Sequence, residues 1–125
     1  MELHGSAKLL RIFIGEMDKI AHVPLSEVII KEARKDGLAG ATSWRGFMGF
    51  GPTSKIRSAK ILDISADLPV IIEIVDVQEK IESFVRKLDQ LFVEANSGGL
   101  VTLENVEVHR YFHASQGQKQ EGAGS

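Results

Sequence analysis

Val70–Val75 reads VIIEIV, a run of β-branched side chains interrupted only by Glu73 and preceded by the turn residues Asp67-Leu68-Pro69. Such a run suits a strand in the centre of a sheet, with both faces covered. Its counterpart toward the N-terminus is Lys8–Ile14 (KLLRIFI), apolar on both alternating faces except at Arg11. Between the two, Pro24 suits the first turn of a helix, where its missing N–H is not needed. Leu25, Val28, Ile29 and Ala33 follow at helical spacing until Gly37. Glu27 lies near the positive end of that helix dipole and reaches Lys31 one turn on, while Arg34 and Lys35 lie near the negative end.

Beyond VIIEIV, Asp76 and Glu79 have the spacing of a capping box, so a helix is predicted to begin there. Ile81, Phe84, Val85, Leu88, Leu91 and Phe92 form its apolar stripe, and Asn96–Gly99 ends it. Leu100–Phe112 is predicted as the last strand, with Val106 and Val108 facing one way and Glu107, His109 and Tyr111 the other. Gly40–Phe50 (GATSWRGFMGF) has no helical period and is rich in glycine, so it is predicted as an extended strand. Gly51-Pro52-Thr53-Ser54 then turns the chain, and Ile56, Leu62 and Ile64 mark a weaker return strand ending at Ser65.

The order is strand, helix, strand with an inserted hairpin arm, strand, helix, strand. That is an α+β, ferredoxin-like split βαβ arrangement, an antiparallel sheet with two helices on one face. The domain is expected over residues 8–113, with a flexible N-terminus at 1–7 and a disordered tail at 114–125 that holds no large apolar side chain. Two helices cover one face only, yet KLLRIFI and VIIEIV carry apolar residues on both. A second subunit is the simplest cover for the other face, and a closed oligomer is expected.

The 125 residues are enough for one domain and too few for a two-lobed enzyme. Fifteen Lys and Arg against seventeen Asp and Glu give a net charge of −2, so the overall field that draws proteins onto nucleic acid is missing. Without cysteine there is no disulfide scaffold, thiolate nucleophile or sulfur-bound zinc. No apolar run suggests a signal peptide or a spanning helix, so a soluble cytoplasmic protein is expected.

Gly46-Phe47-Met48-Gly49-Phe50-Gly51 is the densest glycine cluster. Its spacing is neither a dinucleotide fingerprint nor a P-loop, but glycines at a strand end let backbone N–H groups approach an anion. The structural alternative is a bulged or tightly packed strand. Arg45, Lys55, Arg57 and Lys60 lie close by in sequence and make a phosphorylated ligand credible there, although each also fits a solvated loop. Arg45-Gly46-Phe47 followed by Phe50 is similar to the aromatic strand motif of RNA-recognition domains. That motif belongs on the strand before the second helix, whereas here two strands intervene, and no nucleic-acid partner is expected. His109 and His113 would stand about 13 Å apart on a strand, beyond the reach of one ion, and no metal site is expected. No nucleophile elbow or paired carboxylates point to catalysis. Glu73 should be paired, at a subunit seam or with a ligand, if it is buried.

The runs LLRIFIGE, PLSEVIIKEAR, GLAGATSWRGFMGFG, IRSAKILDISADLPVIIEIVD and LVTLENVEVHRY together resemble the PII-like proteins of domain-of-unknown-function family 190, the UPF0166 type. The resemblance spans nearly all of residues 8–112. It implies a PII-like ferredoxin fold and, by analogy with PII signalling proteins, a homotrimer with ligand clefts between subunits. It also implies a non-catalytic regulator with AMP, ADP or ATP as effector and no required cofactor. The glycine–phenylalanine–glycine that ends the second PII strand is similar to Gly49, Phe50 and Gly51. The loop after the second helix corresponds to Ser97, Gly98 and Gly99, without the lysine that grips phosphate in PII proteins. Arg110 stands where a C-terminal basic residue serves. The expected ligand residues are thus Arg45, Gly46, Gly49, Phe50, Gly51, Arg57, Lys60, Gly98, Gly99 and Arg110. The partner-contacting PII loop corresponds to residues 52–68, without its tyrosine. The family resemblance further implies a membrane partner of the fluoride-channel type. The alternatives are a CutA-like divalent-metal tolerance protein and an RNA-binding ferredoxin-like domain.

Overall fold

A computed structural model of the chain describes residues 3–60 and 67–114. The chain runs β1 (Gly5–Gly15), β2 (Lys19–Ile20), β3 (Val23–Pro24), α1 (Leu25–Lys35), β4 (Thr42–Arg45), β5 (Met48–Gly49), β6 (Arg57–Ser58), β7 (Pro69–Asp76), α2 (Gln78–Ala95) and β8 (Leu100–Val108). Four strands form one antiparallel sheet in the order β4-β7-β1-β8, the split βαβ topology read from the sequence. KLLRIFI and VIIEIV are its two central strands and pair directly, Leu10 opposite Ile74 and Ile12 opposite Ile72.

Alternation along the central strands decides which residues meet the helices. Leu10, Ile12, Ile14, Ile72 and Ile74 point one way and pack with Leu25, Ile29 and Ala33 of α1 and Ile81, Phe84 and Leu88 of α2. Full burial of each large aliphatic in this layer is worth about 1.5–3 kcal/mol, which makes it the main store of stability. The opposite face is built in rows across the sheet. Trp44, Ile71, Phe13 and Leu100 stand side by side in one row, and Thr42, Glu73, Arg11 and Thr102 in the next. Trp44 and Leu100 are exposed, 53% and 57% respectively, because nothing in the described residues covers the ends of that row.

Arg11 and Glu73 sit at the middle of this open face. The Arg11 guanidinium donates through Nε to Glu73 Oε2 at 2.8 Å and through Nη1 to Glu104 Oε1 at 3.2 Å. The hydrogen bond to Glu73 holds the Arg11 guanidinium above its ordinary value, with Glu104 adding to it and partial desolvation opposing. The partner of Glu73 is therefore a neighbouring strand of the same chain, and Glu73 is half-buried rather than sealed.

Helix ends follow the sequence closely at three points and depart at one. Gly37, at φ +75°, closes α1: the Leu38 N–H donates to Ala33 O and the Gly37 N–H to Arg34 O. Asn96, at φ +51°, does the same for α2 through Ser97 N–H to Phe92 O. The Glu27–Lys31 pair forms at 2.9 Å. The capping box does not form, because Asp76 is still the last residue of β7 and its carboxylate is buried. Asp76 Oδ1 accepts from Val77 N–H at 2.7 Å and Oδ2 from Ala39 N–H at 2.8 Å, tying β7 to the loop that feeds β4.

Other boundaries moved as well. Gly40–Phe50 is not one strand: β4 stops at Arg45, where Gly46 N–H donates to Pro69 O at 2.7 Å, and β5 pairs only with β6 in a separate two-stranded arm. The expected return strand is shorter than predicted at Arg57–Ser58, and residues 61–66 lie outside the described residues. β8 ends at Val108, so His109, Tyr111 and His113 are not on it. At the N-terminus, Gly5–Ala7 belong to β1 because β8 extends far enough to pair with them, and Leu3 is buried with its N–H donating to Tyr111 O. The expected flexible segment is thus folded from Leu3 onward, and the expected C-terminal tail lies outside the described residues from 115 onward.

Candidate functional site

β1 and β7 end together at Gly15 and Pro69, and three loops converge on that end of the sheet. Gly46–Pro52 enters from the arm, Gly98–Gly99 from the loop after α2, and Asp18 and Asp67 from the connections after β1 and before β7. They enclose a cavity of about 540 Å³, floored by Phe13 and Ile71, a size ordinary for a small-molecule site. Seven of the ten expected ligand residues line it: Gly46, Gly49, Phe50, Gly51, Arg57, Gly98 and Gly99. They come from three separate stretches of chain, and the fold brings them together.

The other three lie elsewhere. Arg45 Nη1 donates to Glu16 Oε2 at 2.6 Å, which neutralises it and holds it outside the cavity. Lys60 is exposed on the far side of Ser58, whose buried hydroxyl accepts the Lys60 backbone N–H. Arg110 stacks over the Phe112 ring at 4.3 Å, beside a second hollow near the other end of β1. That hollow, about 710 Å³ and more open, lies among Leu9, Val75 and Val108 on the helix-free face. Its one carboxylate among the described residues, Glu73, is already engaged by Arg11, and the Tyr111 hydroxyl across it donates to Ala39 O.

The glycines of the cavity divide into two kinds. A Cβ on Gly99 would sit 2.5 Å from Phe13 O and 2.9 Å from Phe92 Cε1, and one on Gly46 would sit 2.8 Å from Pro69 Cγ, so packing alone demands both. At Gly49 the nearest atom would be 3.4 Å away, at Gly98 3.9 Å, and at Gly51 nothing lies within 4 Å. At these three, which all line the cavity, packing does not require glycine. Phe50 beside them presents an exposed ring, and Lys55 and Arg57 supply cations from the arm. The set offers glycine backbone, an aromatic face and positive charge.

Sequence reasoning missed two cavity residues with charge. Asp18 Oδ2 accepts from Gly15 N–H and from the Ser97 hydroxyl, both at 2.9 Å, and so fastens the turn after β1 to the loop after α2. Asp67, read from the sequence as a turn residue, accepts from Met17 N–H through Oδ1 at 2.7 Å. Its carboxylate lies 2.7 Å from where a Cβ on Gly15 would stand. The two acids therefore flank Gly15. Asp18 also caps its own turn at Gly15, but its bond to Ser97 and that of Asp67 to Met17 join distant loops, which no local pattern marks. Among the described residues no three His, Asp or Glu side chains gather to hold a metal ion. No described helix is long and apolar enough to cross a membrane.

Comparison with known proteins fits this architecture. The family model described as "Uncharacterized ACR, COG1993" matches residues 7–108. A UPF0166 protein of Aquifex aeolicus is 39% identical, covering 81% of this chain and 91% of its own. Another from Methanocaldococcus jannaschii is 33% identical, covering 83% and 93%. Among solved structures, the chain is similar to CPII of Thiomonas intermedia K12, a nitrogen regulatory PII-like protein bound to ADP, AMP and bicarbonate. That match has TM-score 0.64 at 17% identity and covers 84% of this chain and 90% of that one. It is similar also to a putative PII-like signaling protein of Thermus thermophilus, with TM-score 0.62 at 18% identity over 86% and 93% of the two chains. The sheet order, the helix-covered face and a match over most of its length lead to one statement: this chain belongs to the Uncharacterized ACR, COG1993 family, the UPF0166 proteins, and has a PII-like ferredoxin-like fold.

Proposed function

We propose that this protein is a non-catalytic, PII-like regulator that binds an adenine nucleotide in the cavity at Gly49–Gly51 and Gly98. The observation that carries the reading is the convergence of glycines not demanded by packing, the Phe50 ring and two cations on one crevice of small-molecule size. The likeness of fold to a PII-like protein bound to ADP and AMP supports it. In this reading Phe50 stacks on the base, the backbone around Gly49 and Gly51 donates to the ligand, and Arg57 meets phosphate.

The working form is a homotrimer in which the row Trp44, Ile71, Phe13 and Leu100 packs against neighbouring copies, so that the crevice lies at a subunit boundary. The arm carries Phe47, Met48, Phe50 and Ile56 exposed, a surface that a regulated partner would contact. A membrane channel or transporter as that partner rests on the family resemblance alone. Binding changes the partner's view of the arm only if the ligand prefers one arm position, and Lys55 and Arg57 on the arm supply that preference.

Isothermal titration calorimetry of the full chain with AMP, ADP and ATP tests the proposal. Saturable binding that Phe50→Ala weakens is the expected result. Silence with every adenine nucleotide overturns it, and heat from copper or single-stranded RNA instead would move the protein to one of the alternative classes.

A further inference from the structure

We infer that the cavity selects a nucleotide with a single phosphate over its triphosphate, an inference that rests on the adenine-nucleotide reading above. Among the described residues of this chain, the charged side chains that line it are two cations, Lys55 and Arg57, and two carboxylates, Asp18 and Asp67. Their placement is segregated. Both cations ride on the arm, and both acids flank Gly15 at the end of β1.

The acids are held in position and cannot swing away from an incoming anion without losing hydrogen bonds. Asp18 is fixed by Gly15 N–H and the Ser97 hydroxyl, Asp67 by Met17 N–H. A monophosphate brings about two negative charges at neutral pH, which Lys55 and Arg57 together offset. The carboxylates then accept from hydroxyl or amino groups of the nucleoside. Each further phosphate adds negative charge that this chain, among its described residues, brings no further cation to balance, in a crevice that already holds two fixed anions. Repulsion of that kind discriminates between ligands that share a base and a sugar.

Calorimetry with adenosine, AMP, ADP and ATP in EDTA, repeated for ATP with magnesium, tests this on the wild-type chain and on Asp67→Asn and Asp18→Asn. Asparagine keeps an acceptor for the backbone N–H while removing the charge. The expected order is AMP tightest, adenosine weaker, and ATP weaker than AMP by about tenfold or more, with the gap narrowed severalfold in either variant. ATP binding as tightly as AMP, with or without magnesium, overturns the inference, as does adenosine matching AMP. A gap unchanged in the folded variants overturns it too. These results leave the nucleotide site itself standing, whereas no binding by any of the four ligands removes the reading beneath it. If Asp67→Asn does not fold, Asp18→Asn and the wild-type order still decide.

Discussion

The two faces of the same central strands are built on different rules. On the helix side, Leu10, Ile12, Ile72 and Ile74 are sealed to 1% exposure or less by α1 and α2. On the other side, Leu9, Phe13 and Val75 are only half-buried, and an ion-paired Arg11–Glu73–Glu104 cluster interrupts them. A patch meant only to be hidden would be uniformly apolar. Apolar rows around a fixed charge cluster instead resemble an association surface, where grease supplies affinity and the charges fix register. The expectation of an apolar helix-free face therefore holds for the Trp44–Ile71–Phe13–Leu100 row, and the charge cluster modifies it at the centre.

The largest expected effect separates the faces with one residue type. Phe84→Ala, on the sealed side, should lower unfolding free energy by about 3–5 kcal/mol in chemical denaturation, at every protein concentration. Phe13→Ala should cost less than that and act chiefly on self-association, seen as a smaller species on dilution. Equal losses at all concentrations would erase the distinction between the faces.

The next contrast lies within the cavity. Gly99→Ala drives a methyl into Phe13 O and should cost about 1–3 kcal/mol by thermal or urea unfolding. Gly51→Ala meets open space, so stability should stay within about 0.5 kcal/mol while nucleotide affinity falls. Reversal of that pattern would assign Gly51 to packing.

Smaller still is Glu73→Gln, which keeps an acceptor but, among the described residues, leaves Glu104 as Arg11's one charged partner. In a half-exposed setting the loss should be within about 1 kcal/mol for the folded chain, but greater for assembly, where Arg11 would be buried without its main partner. A double-mutant cycle with Arg11→Met, read by both denaturation and mass, separates the two contributions.

The smallest effect belongs to the sealed side's outer rim. Lys87 donates to Asp36 at 2.9 Å and lies 3.7 Å from Glu32, linking α2 to the end of α1. The hydrogen bond to Asp36 raises the Lys87 ammonium above its ordinary 10.5, with Glu32 assisting and desolvation opposing. A raised pKa means the contribution is complete below 10.5 and is lost as pH climbs through the folded value. The stability gap between wild type and Lys87→Met should thus be constant near neutrality and shrink in the alkaline range. A gap that grows with alkalinity would refute the linkage.

Where a feature depended on local spacing, the sequence was sufficient. VIIEIV and KLLRIFI announced the central pair, and Gly37 and Asn96 announced helix ends, because strand period and left-handed backbone are properties of a few adjacent residues. Gly49, Phe50, Gly51 and Gly98 were recognisable as a candidate site from composition and family likeness. What escaped depends on distant partners. By sequence Arg45 is a free cation, but Glu16 holds it; by sequence Asp76 is a helix cap, but Ala39 donates to it from a distant loop. Asp18 is legible only as a turn residue beside Gly15, since its place in the cavity depends on Ser97, 79 residues away.

The mass of the full chain in solution, followed by multi-angle light scattering as it is diluted through micromolar concentrations, tests the account most directly. Three copies at the higher concentrations, falling apart sooner in Phe13→Ala, is the result the proposed homotrimer predicts. A wild-type chain that runs as a single copy throughout would contradict it, showing that this face lives in water and that no neighbouring copy contributes to the crevice.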